Sequence, residues 1–548
     1  MSEGAALSPP LPHRSEMLGP ALRSAGRAPT LATRPWIGIL AVLMGAFIST
    51  LTTRLSTFGL ADIRGALHAG FDEGAWITTA QTVGQMLICP AAAWLGAVYG
   101  PRRVLLQSSL IFAAASFLLP FSENLYSFLM LQFIAGLASG TFIPLTIGFV
   151  VQNLPRRLWA YGIAAYALNL EFSLHISASL EGWYSDYASW HWIFWQSVPL
   201  AIAMAICVWF GIPRQPVSRD CLRNADWFGM ASVSIGLSMI YAALDQGNRL
   251  DWFNSGLVSG LMLGGTILLI AFVVHERTVK APWLNLDVAL SGNLPLLMVL
   301  IAFLRFTLLS TVNIIPQFLS TVQGYRTLET GQVLMLIALP QLLIAPLAGF
   351  LLRRIDARLL MLAGFTLVGS ACWLVADYLT QDWTGAEFLR SQIMQAVGQS
   401  LAVSGVVFFS VLHLKPADAL TLGTLIQTAR LFGGELGSSF ITTWVRVREQ
   451  IASAMINLHV QAGDAMLEQR VKEYASAVAS RSTGDPEENG RALSLLASAV
   501  QKQANVQSYI DAFAIVTFAI CAAFVLIAFL RDPPSDHRSS PAPKAVGV

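Results

Sequence analysis

The sequence alternates long apolar runs with short polar connections along almost its entire length after residue 34. Each run has roughly 20 residues, the length that an α-helix needs to cross the hydrocarbon core of a bilayer. Some 55% of the residues are hydrophobic and 12% are charged, which is roughly half the charged fraction of a soluble domain. The pattern predicts an all-α polytopic membrane protein with about 14 transmembrane helices. We place them at residues 36–60, 75–98, 104–121, 125–151, 158–182, 190–212, 228–246, 253–274, 294–320, 328–351, 358–377, 388–413, 419–443 and 508–530.

Basic residues concentrate in every second connection, and this asymmetry predicts the orientation of the chain. Connections rich in Lys and Arg stay in the cytoplasm. Because the helix count is even and these connections lie on the N-terminal side, both termini are predicted to be cytoplasmic, with the protein in the cell inner (plasma) membrane. The residues concerned are Arg102, Arg103, Arg156, Arg157, Arg214, Arg219, Arg223, Arg277, Lys280, Arg353, Arg354, Arg358 and Lys415.

Composition and local motifs exclude several classes of function. The net charge of +2 gives no sign of nucleic-acid binding. The 5 cysteines show no CxxC or ladder spacing, so we expect neither a disulfide framework nor a metal site. A Walker A motif is absent, which excludes an ATP-driven pump within this chain. Residues 1–34 lack the apolar segment of a cleaved signal peptide and are predicted to be a disordered cytoplasmic tail.

The connection from Val447 to Val506 is much longer than the others. It contains three runs that look helical, IASAMINLHV, AMLEQRVKEYASAVAS and ALSLLASAVQKQ, interrupted by GDPEENG. The predicted orientation puts this segment outside the cytoplasm. Loops of this length are usually functional, so we expect it to dock a partner. A solvated cap without a partner is the alternative.

The fifth apolar run contains three ionisable residues where a spanning helix should be apolar. Glu171 and His175 are four residues apart, so a helix puts them on one face about 6 Å apart along its axis. Ionisable groups inside a membrane usually face a protein interior or a water-filled path and are functional by default. A packing contact is the alternative, above all for His175, because a neighbouring carbonyl can satisfy a neutral imidazole. Glu181 lies near the outer boundary, and we expect it to be solvated.

Four further stretches carry recognisable motifs. They are FDEGAWITTAQTVGQMLICPAAAWLGAVYGPRRVLL at 71–106, GWYSDYASWHWIFWQSVP at 182–199, GFLLRRIDARLL at 349–360 and TLIQTARLFGGELGSSFITTW at 424–444. Together they resemble the major facilitator superfamily, and more closely its fourteen-helix drug:proton antiporters of the EmrB/QacA type. In span four, GLASG carries Gly136 and Gly140, small residues that predict close helix contact.

The resemblance implies a major facilitator fold in which two six-helix bundles, 35–213 and 291–531, rock about a central site. Two inserted helices would occupy 214–290, and 532–548 would form a second cytoplasmic tail. The implied function is export of amphiphilic molecules driven by a proton gradient, with no cofactor. In a Gram-negative cell, it also implies a periplasmic adaptor (membrane fusion protein) and an outer-membrane channel as partners.

The resemblance also implies a gating role for two predicted cytoplasmic loops. The first retains Gly100, Arg102 and Arg103, although Ala97 and Val98 replace the usual Asp-Arg pair. The second loop contains Asp356 and Arg358.

Other departures affect residues that the family uses for proton transfer. Gln132 stands where span four usually has an Arg, and Thr52 stands where span one usually has an acid. The antiporter motif at 177–182 keeps only its last glycine, Gly182. We therefore looked for substitutes among the remaining charges inside the spans. The candidate proton-coupling and substrate residues are Arg54, Glu171, His175, Arg305, Arg430 and Glu435.

Spans one and five are neighbours in the family fold, so we expect Arg54 to pair with Glu171. The guanidinium would favour the ionised carboxylate, and a change of partner during transport would make Glu171 a proton carrier. A static pair that lowers the cost of burying both groups is the alternative. Arg430 and Glu435 are five residues apart, hence about 140° apart around a helix, and should not pair with each other. Packing or gating explains Arg430 as well as binding does.

The leading prediction is a proton-coupled exporter of amphiphilic small molecules. Because Arg54 and Arg305 would give the cavity a positive charge, we expect anionic or neutral amphiphiles rather than cations. An uncoupled facilitator or an importer of an anionic small molecule is the first alternative. An intramembrane enzyme using Glu171 and His175 is a remote one, since neither an HExxH motif nor a usable G-x-S-x-G motif occurs.

Overall fold

The computed structural model describes residues 34–223, 225–279, 283–284, 290, 292–413, 419–459, 465–479 and 488–531. Lys280, Lys415, residues 1–33 and the predicted C-terminal tail 532–548 lie outside the described residues. The described chain is built from helices, which confirms the all-α prediction.

Within these ranges, fourteen long helices follow the predicted apolar runs, and we number them α1 to α14. We call the side of the bundle on which α1 ends the outer side. The helices are α1 Pro35–Phe58, α2 Phe71–Tyr99, α3 Pro101–Phe121, α4 Leu125–Asn153, α5 Trp159–Tyr187, α6 Trp192–Gly211, α7 Trp227–Gly247, α8 Gly256–Thr278, α9 Leu294–Thr321, α10 Thr327–Leu352, α11 Ala357–Tyr378, α12 Leu389–Leu412, α13 Ala419–His459 and α14 Glu488–Ala528.

Fewer helices qualify as membrane spans when both their length and their apolar composition are required than when length alone is considered. Among the described residues, 12 helices are both long and apolar enough to cross a membrane. In the same described residues, the two long helices outside that group are α5, which contains Glu171 and His175, and α13, which contains Arg430 and Glu435. Twelve candidate spans are enough for a multi-pass membrane protein, and the count of fourteen stays a prediction.

The helices pack as two groups joined by a few cross-contacts. Within the first group α1 packs on α5 and α6, and α2 packs on α4. Within the second α11 packs on α12 and α14, and α9 packs on α13. Helix α5 packs along α10, and α13 packs on α2 and α4, so these pairs hold the two groups together. Helices α7 and α8 pack on each other, and α7 also contacts α2 and α13. The domain boundaries themselves stay a prediction.

Close helix contacts depend on glycine at two of the predicted positions. A Cβ atom at Gly136 would lie 2.1 Å from the carbonyl oxygen of Gln81, so α2 and α4 touch only because that side chain is missing. This confirms the contact predicted from GLASG. At Gly182, a Cβ atom would lie 2.3 Å from the backbone nitrogen of Leu328, at the outer end of α5 and α10. The glycine that survives from the antiporter motif therefore lies in the contact between the two groups.

The described parts of the long connection from Val447 to Val506 are helical, as their sequence predicts. Helix α13 continues to His459, a separate helix covers Ala465–Ala479, and α14 begins at Glu488. Arg448 in α13 forms an ion pair with Asp511 in α14 at 2.5 Å between Nη2 and Oδ2. Residues 480–487, where the predicted break begins, lie outside the described residues.

Candidate functional site

Glu171 lies midway along α5, where that helix faces the second group of helices. Its side chain is buried, and its Oε2 atom has no hydrogen-bond partner among the described residues. Two cations act on this carboxylate, Arg305 from α9 and Arg430 from α13, and Gln341 of α10 lies beside it. A buried carboxylate of one group thus faces two guanidinium groups of the other.

The predicted ion pair between Arg54 and Glu171 is wrong for this structure, which describes both side chains. The Nη2 atom of Arg54 instead donates a hydrogen bond of 2.8 Å to the backbone carbonyl of Val312, and its guanidinium lies 5.0 Å from the ring centre of Phe58. Val312 belongs to a π-helical segment, Ser310–Ile314, that interrupts α9. Such segments distort the regular backbone ladder and are frequent at functional sites. Arg54 therefore joins the first helices of the two groups.

His175 is held by hydrogen bonds at both ring nitrogens. Its Nδ1 atom lies 2.8 Å from the backbone carbonyl of Glu171, and its Nε2 atom lies 3.2 Å from the hydroxyl of Thr311. Because a carbonyl only accepts, Nδ1 carries the proton, and Nε2 is left to accept in a neutral ring. Thr311 also accepts a bond of 3.0 Å from Gln399 in α12. The arrangement matches the alternative in which a carbonyl satisfies a neutral His175.

Three arginines form the positive part of the site. Arg305 acts electrostatically on both Arg54 and Arg430, so the three guanidinium groups lie in one region between the helix groups. Within the part of the chain that the structure describes, the Nε atoms of Arg54 and Arg305 are buried without hydrogen-bond partners. Arg430 uses its Nε atom to donate to Gln427 at 2.8 Å. Donors without partners between two helix groups can bind an anionic group that enters the site.

Glu435 does not interact with Arg430 among the described contacts, as the helical spacing predicts. It lies against Tyr241 and near Asp245, both from α7. Asp245 accepts a hydrogen bond from the hydroxyl of Thr79 in α2. The sequence prediction missed Asp245 because it lies at the end of an apolar run, where a carboxylate is expected to reach water. The sequence does contain one indication of this site, because Tyr241 is a second polar residue four positions before Asp245 and hence on the same helix face.

The expectation that Glu181 is solvated is wrong. Glu181 is only 2% exposed, and none of the described residues forms a hydrogen bond with its Oε2 atom. Thr327 at the start of α10 lies beside it, and the adjacent contact between Gly182 and Leu328 closes the surface above it. Burial here comes from a helix of the second group, which the position of Glu181 along its own helix could not reveal.

The two predicted gating loops adopt defined local structure. Gly100 separates α2 from α3 with φ of 85°, a conformation that disfavours other residues. Arg102 lies over the ring of Trp209, at 4.7 Å from its centre, while Arg103 is exposed. Asp356 caps α11 by accepting from the Arg358 amide at 3.0 Å, and the Arg358 guanidinium lies over Phe409. These contacts fix helix ends, and a gating role stays a prediction.

Comparison with known proteins agrees with this architecture. A family model described as Major Facilitator Superfamily matches residues 42–438. The multidrug export protein EmrB of Haemophilus influenzae is 25% identical over 423 residues, which cover 77% of this chain and 82% of EmrB. The fatty acid resistance protein FarB of Neisseria gonorrhoeae is 23% identical over 504 residues, 92% of this chain and 97% of FarB. The crystal structure of the human organic anion transporter MFSD10 (TETRAN) aligns with a TM-score of 0.54 at 12% identity, covering 89% of this chain and 99% of that one. At this identity, the similarity shows the fold alone.

Proposed function

Since the chain belongs to the major facilitator superfamily and is similar to EmrB-type exporters, we propose that it is a proton-coupled exporter of amphiphilic molecules that works by alternating access. Family membership makes it a transporter and excludes the intramembrane enzyme. In this family two helix bundles rock about a site near the middle of the membrane.

Alternating access is supported by the way the two bundles share the site. Glu171 comes from the first bundle, whereas Arg305 and Arg430 come from the second. A rocking motion of one bundle against the other changes the distance between these charges without breaking either bundle. The site can therefore have two electrostatic states that depend on which side is open.

Proton coupling is supported above all by the buried Glu171 carboxylate with its unpartnered Oε2 atom. Close to the guanidinium groups the carboxylate is stabilised as an anion, and away from them the neutral acid is favoured. A bound anionic substrate would compete with Glu171 for the same arginines. Binding of substrate and of proton would thus be linked through one pair of cations, which is the requirement for antiport.

Transport in proteoliposomes tests this proposal. We would impose a pH gradient, add amphiphiles of either charge, and follow internal pH in the wild type, Glu171→Gln and Arg54→Ala. Glu123→Gln, which removes a carboxyl from the exposed loop between α3 and α4, serves as the control. We expect substrate-triggered proton movement in the wild type and in the control, and its loss in Glu171→Gln. Normal proton movement in Glu171→Gln would show that Glu171 is not the carrier.

A facilitator or importer of an anionic small molecule is the second candidate. It is favoured by the three guanidinium groups of Arg54, Arg305 and Arg430, which lie in one region, whereas the one carboxylate on which two of them act is Glu171. The name of FarB refers to fatty acids, which are anionic amphiphiles. Flux of an anionic amphiphile that is the same with and without the pH gradient would favour this candidate over the exporter.

The same proposal covers location and partners. We place the protein in the inner (plasma) membrane with both termini in the cytoplasm, on the distribution of basic residues. The extensions of α13 and α14 beyond the bundle, joined by the ion pair of Arg448 with Asp511, form a helical projection on the outer side. In a Gram-negative cell this projection would contact a periplasmic adaptor that leads to an outer-membrane channel. Cross-linking in cells from cysteines on the projection tests that contact.

A further inference from the structure

Helix α7 is an addition to the two bundles, and one of its faces is polar. Tyr241 and Asp245 are four residues apart, so they lie on one face about 6 Å apart along the axis, and Arg249 follows in the turn just beyond the end of the helix. The helix contacts α2 of the first bundle and α13 of the second. Its polar residues therefore lie between the bundles rather than against lipid.

The outer end of this face reaches water. Arg249 forms an ion pair with Asp72 at 2.6 Å, and the Asp72 side chain is 81% exposed. The Nε atom of Arg249 also donates to the Oε1 atom of Gln246 at 2.9 Å. Gln246 in turn donates through Nε2 to the Thr79 hydroxyl at 2.6 Å and to the Asp245 carboxylate at 3.2 Å. A continuous set of polar groups thus connects the outer surface with Asp245.

The inner end of the face reaches the centre of the protein. Tyr241 lies against Thr82 of α2 and against Glu435 of α13, and Asp245 acts electrostatically on Glu435. Besides Glu435, the charged group that acts on Asp245 is Arg249. The Tyr241 hydroxyl, which both donates and accepts, therefore interacts with two carboxyl groups from different elements, Glu435 by a hydrogen bond and Asp245 electrostatically.

We propose that Asp245 is a proton-transferring residue that takes protons from the outer side and passes them through Tyr241 to Glu435. The Asp245 carboxylate gains one proton from water and gives it to the Tyr241 oxygen, while the Tyr241 hydroxyl proton moves to Glu435. Each group ends with its original number of protons except Glu435, which gains one. The inserted helix would then be the outer entry path for protons, and this rests on the proton coupling proposed above.

Asp245→Asn and its rescue test the proposal in full-length protein in liposomes. The measurements are substrate-triggered proton movement and, separately, exchange of labelled substrate without a pH gradient. Asp251→Asn is a matched control, because Asp251 is an exposed acid on the turn after the same helix. We expect Asp245→Asn to slow proton movement about 100-fold, the lower end of the usual effect of losing a positioned proton-transfer group, with exchange unchanged. Asp245→Glu should restore proton movement, which a purely structural role for Asp245 does not predict.

Each possible result of these measurements either supports the proton path through Asp245 or overturns it. Proton movement within about twofold of the wild type in Asp245→Asn would overturn this inference and leave the exporter intact. Absence of proton movement in the wild type would overturn the coupling itself and this inference with it. If Asp245→Asn also loses substrate exchange, Tyr241→Phe replaces it, because it removes only the relaying hydroxyl. Normal proton movement in Tyr241→Phe would then refute the path.

Discussion

Substituting Gly182 with alanine should shift the protein towards a state open on the outer side. The added Cβ atom would lie 2.3 Å from the backbone nitrogen of Leu328 and 2.4 Å from its Cα atom. Both distances are roughly 1 Å short of ordinary contact, and backbone cannot move aside as a flexible side chain can. The outer ends of α5 and α10 must therefore separate.

The size of the shift follows from the cost of overpacking. Inserting one methyl group into a close contact costs about 1–3 kcal/mol. If the outward-open state relieves the whole clash, its population relative to the closed state rises by about 5- to 150-fold. Gly256→Ala is a suitable control, because nothing lies within 4 Å of a Cβ atom at that position.

Distances between spin labels measure this shift. Labels on cysteines at Glu123 and Asp382, both exposed on outer connections of different bundles, report the separation of the bundles on that side. The native cysteines would first be replaced by serine. We expect Gly182→Ala to increase the fraction of long distances and Gly256→Ala to leave it unchanged. An unchanged distribution in Gly182→Ala would refute the assignment of this contact as the outer closure.

Three further predictions concern contacts near the membrane surfaces and in the connections between helices. The Trp252 indole donates to the Thr443 hydroxyl at 3.1 Å, so joining cysteines at these positions with a short thiol-specific cross-linker should block transport. Undiminished transport in the cross-linked protein would show that this contact need not open. Gly100→Ala should lower the free energy of unfolding by about 1–2 kcal/mol, because φ there is 85°, and a thermal melt compared with the wild type checks this. The hydrogen bond from the Asn254 side chain lowers the pKa of Asp251, so Asn254→Ala should raise that pKa. The favourable contribution of this bond should be lost as pH falls through the Asp251 pKa. An NMR titration in which the Asp251 pKa stays unchanged in Asn254→Ala would contradict this.

The helices could be predicted because their signal is local. A run of some 20 apolar residues specifies a spanning helix without reference to its neighbours, so the predicted runs reappear as α1 to α14. The same local logic identified Glu171 and Glu435, since a carboxyl inside an apolar run is unusual wherever the run packs. It also separated Arg430 from Glu435, because helical spacing alone determines the angle between them.

The contacts of these charges could not be predicted in the same way. Arg54 was expected to reach Glu171, yet it bonds to Val312, whose carbonyl is presented by a π-helical segment that no local pattern indicates. Glu181 was expected in water, yet it is buried because the start of α10 covers it. Both errors depend on residues more than 100 positions away in the sequence. Side-chain partners between bundles are set by tertiary packing, which hydrophobic periodicity does not encode.

The two long helices that are not apolar enough to be candidate spans occupy corresponding places in the two bundles. Helix α5 is the fifth helix of the first bundle, and α13 is the fifth of the second. Each packs on the second helix of the opposite bundle, α5 on α10 and α13 on α2. Glu171 lies twelve residues after the start of α5, and Arg430 lies eleven residues after the start of α13. The bundles thus bring opposite charges to one depth from equivalent positions. Because burying either charge alone is costly, each polar helix depends on the other bundle to be stable in the membrane. A motion that separates Glu171 from Arg430 must therefore supply the two charges with a proton, a substrate or water.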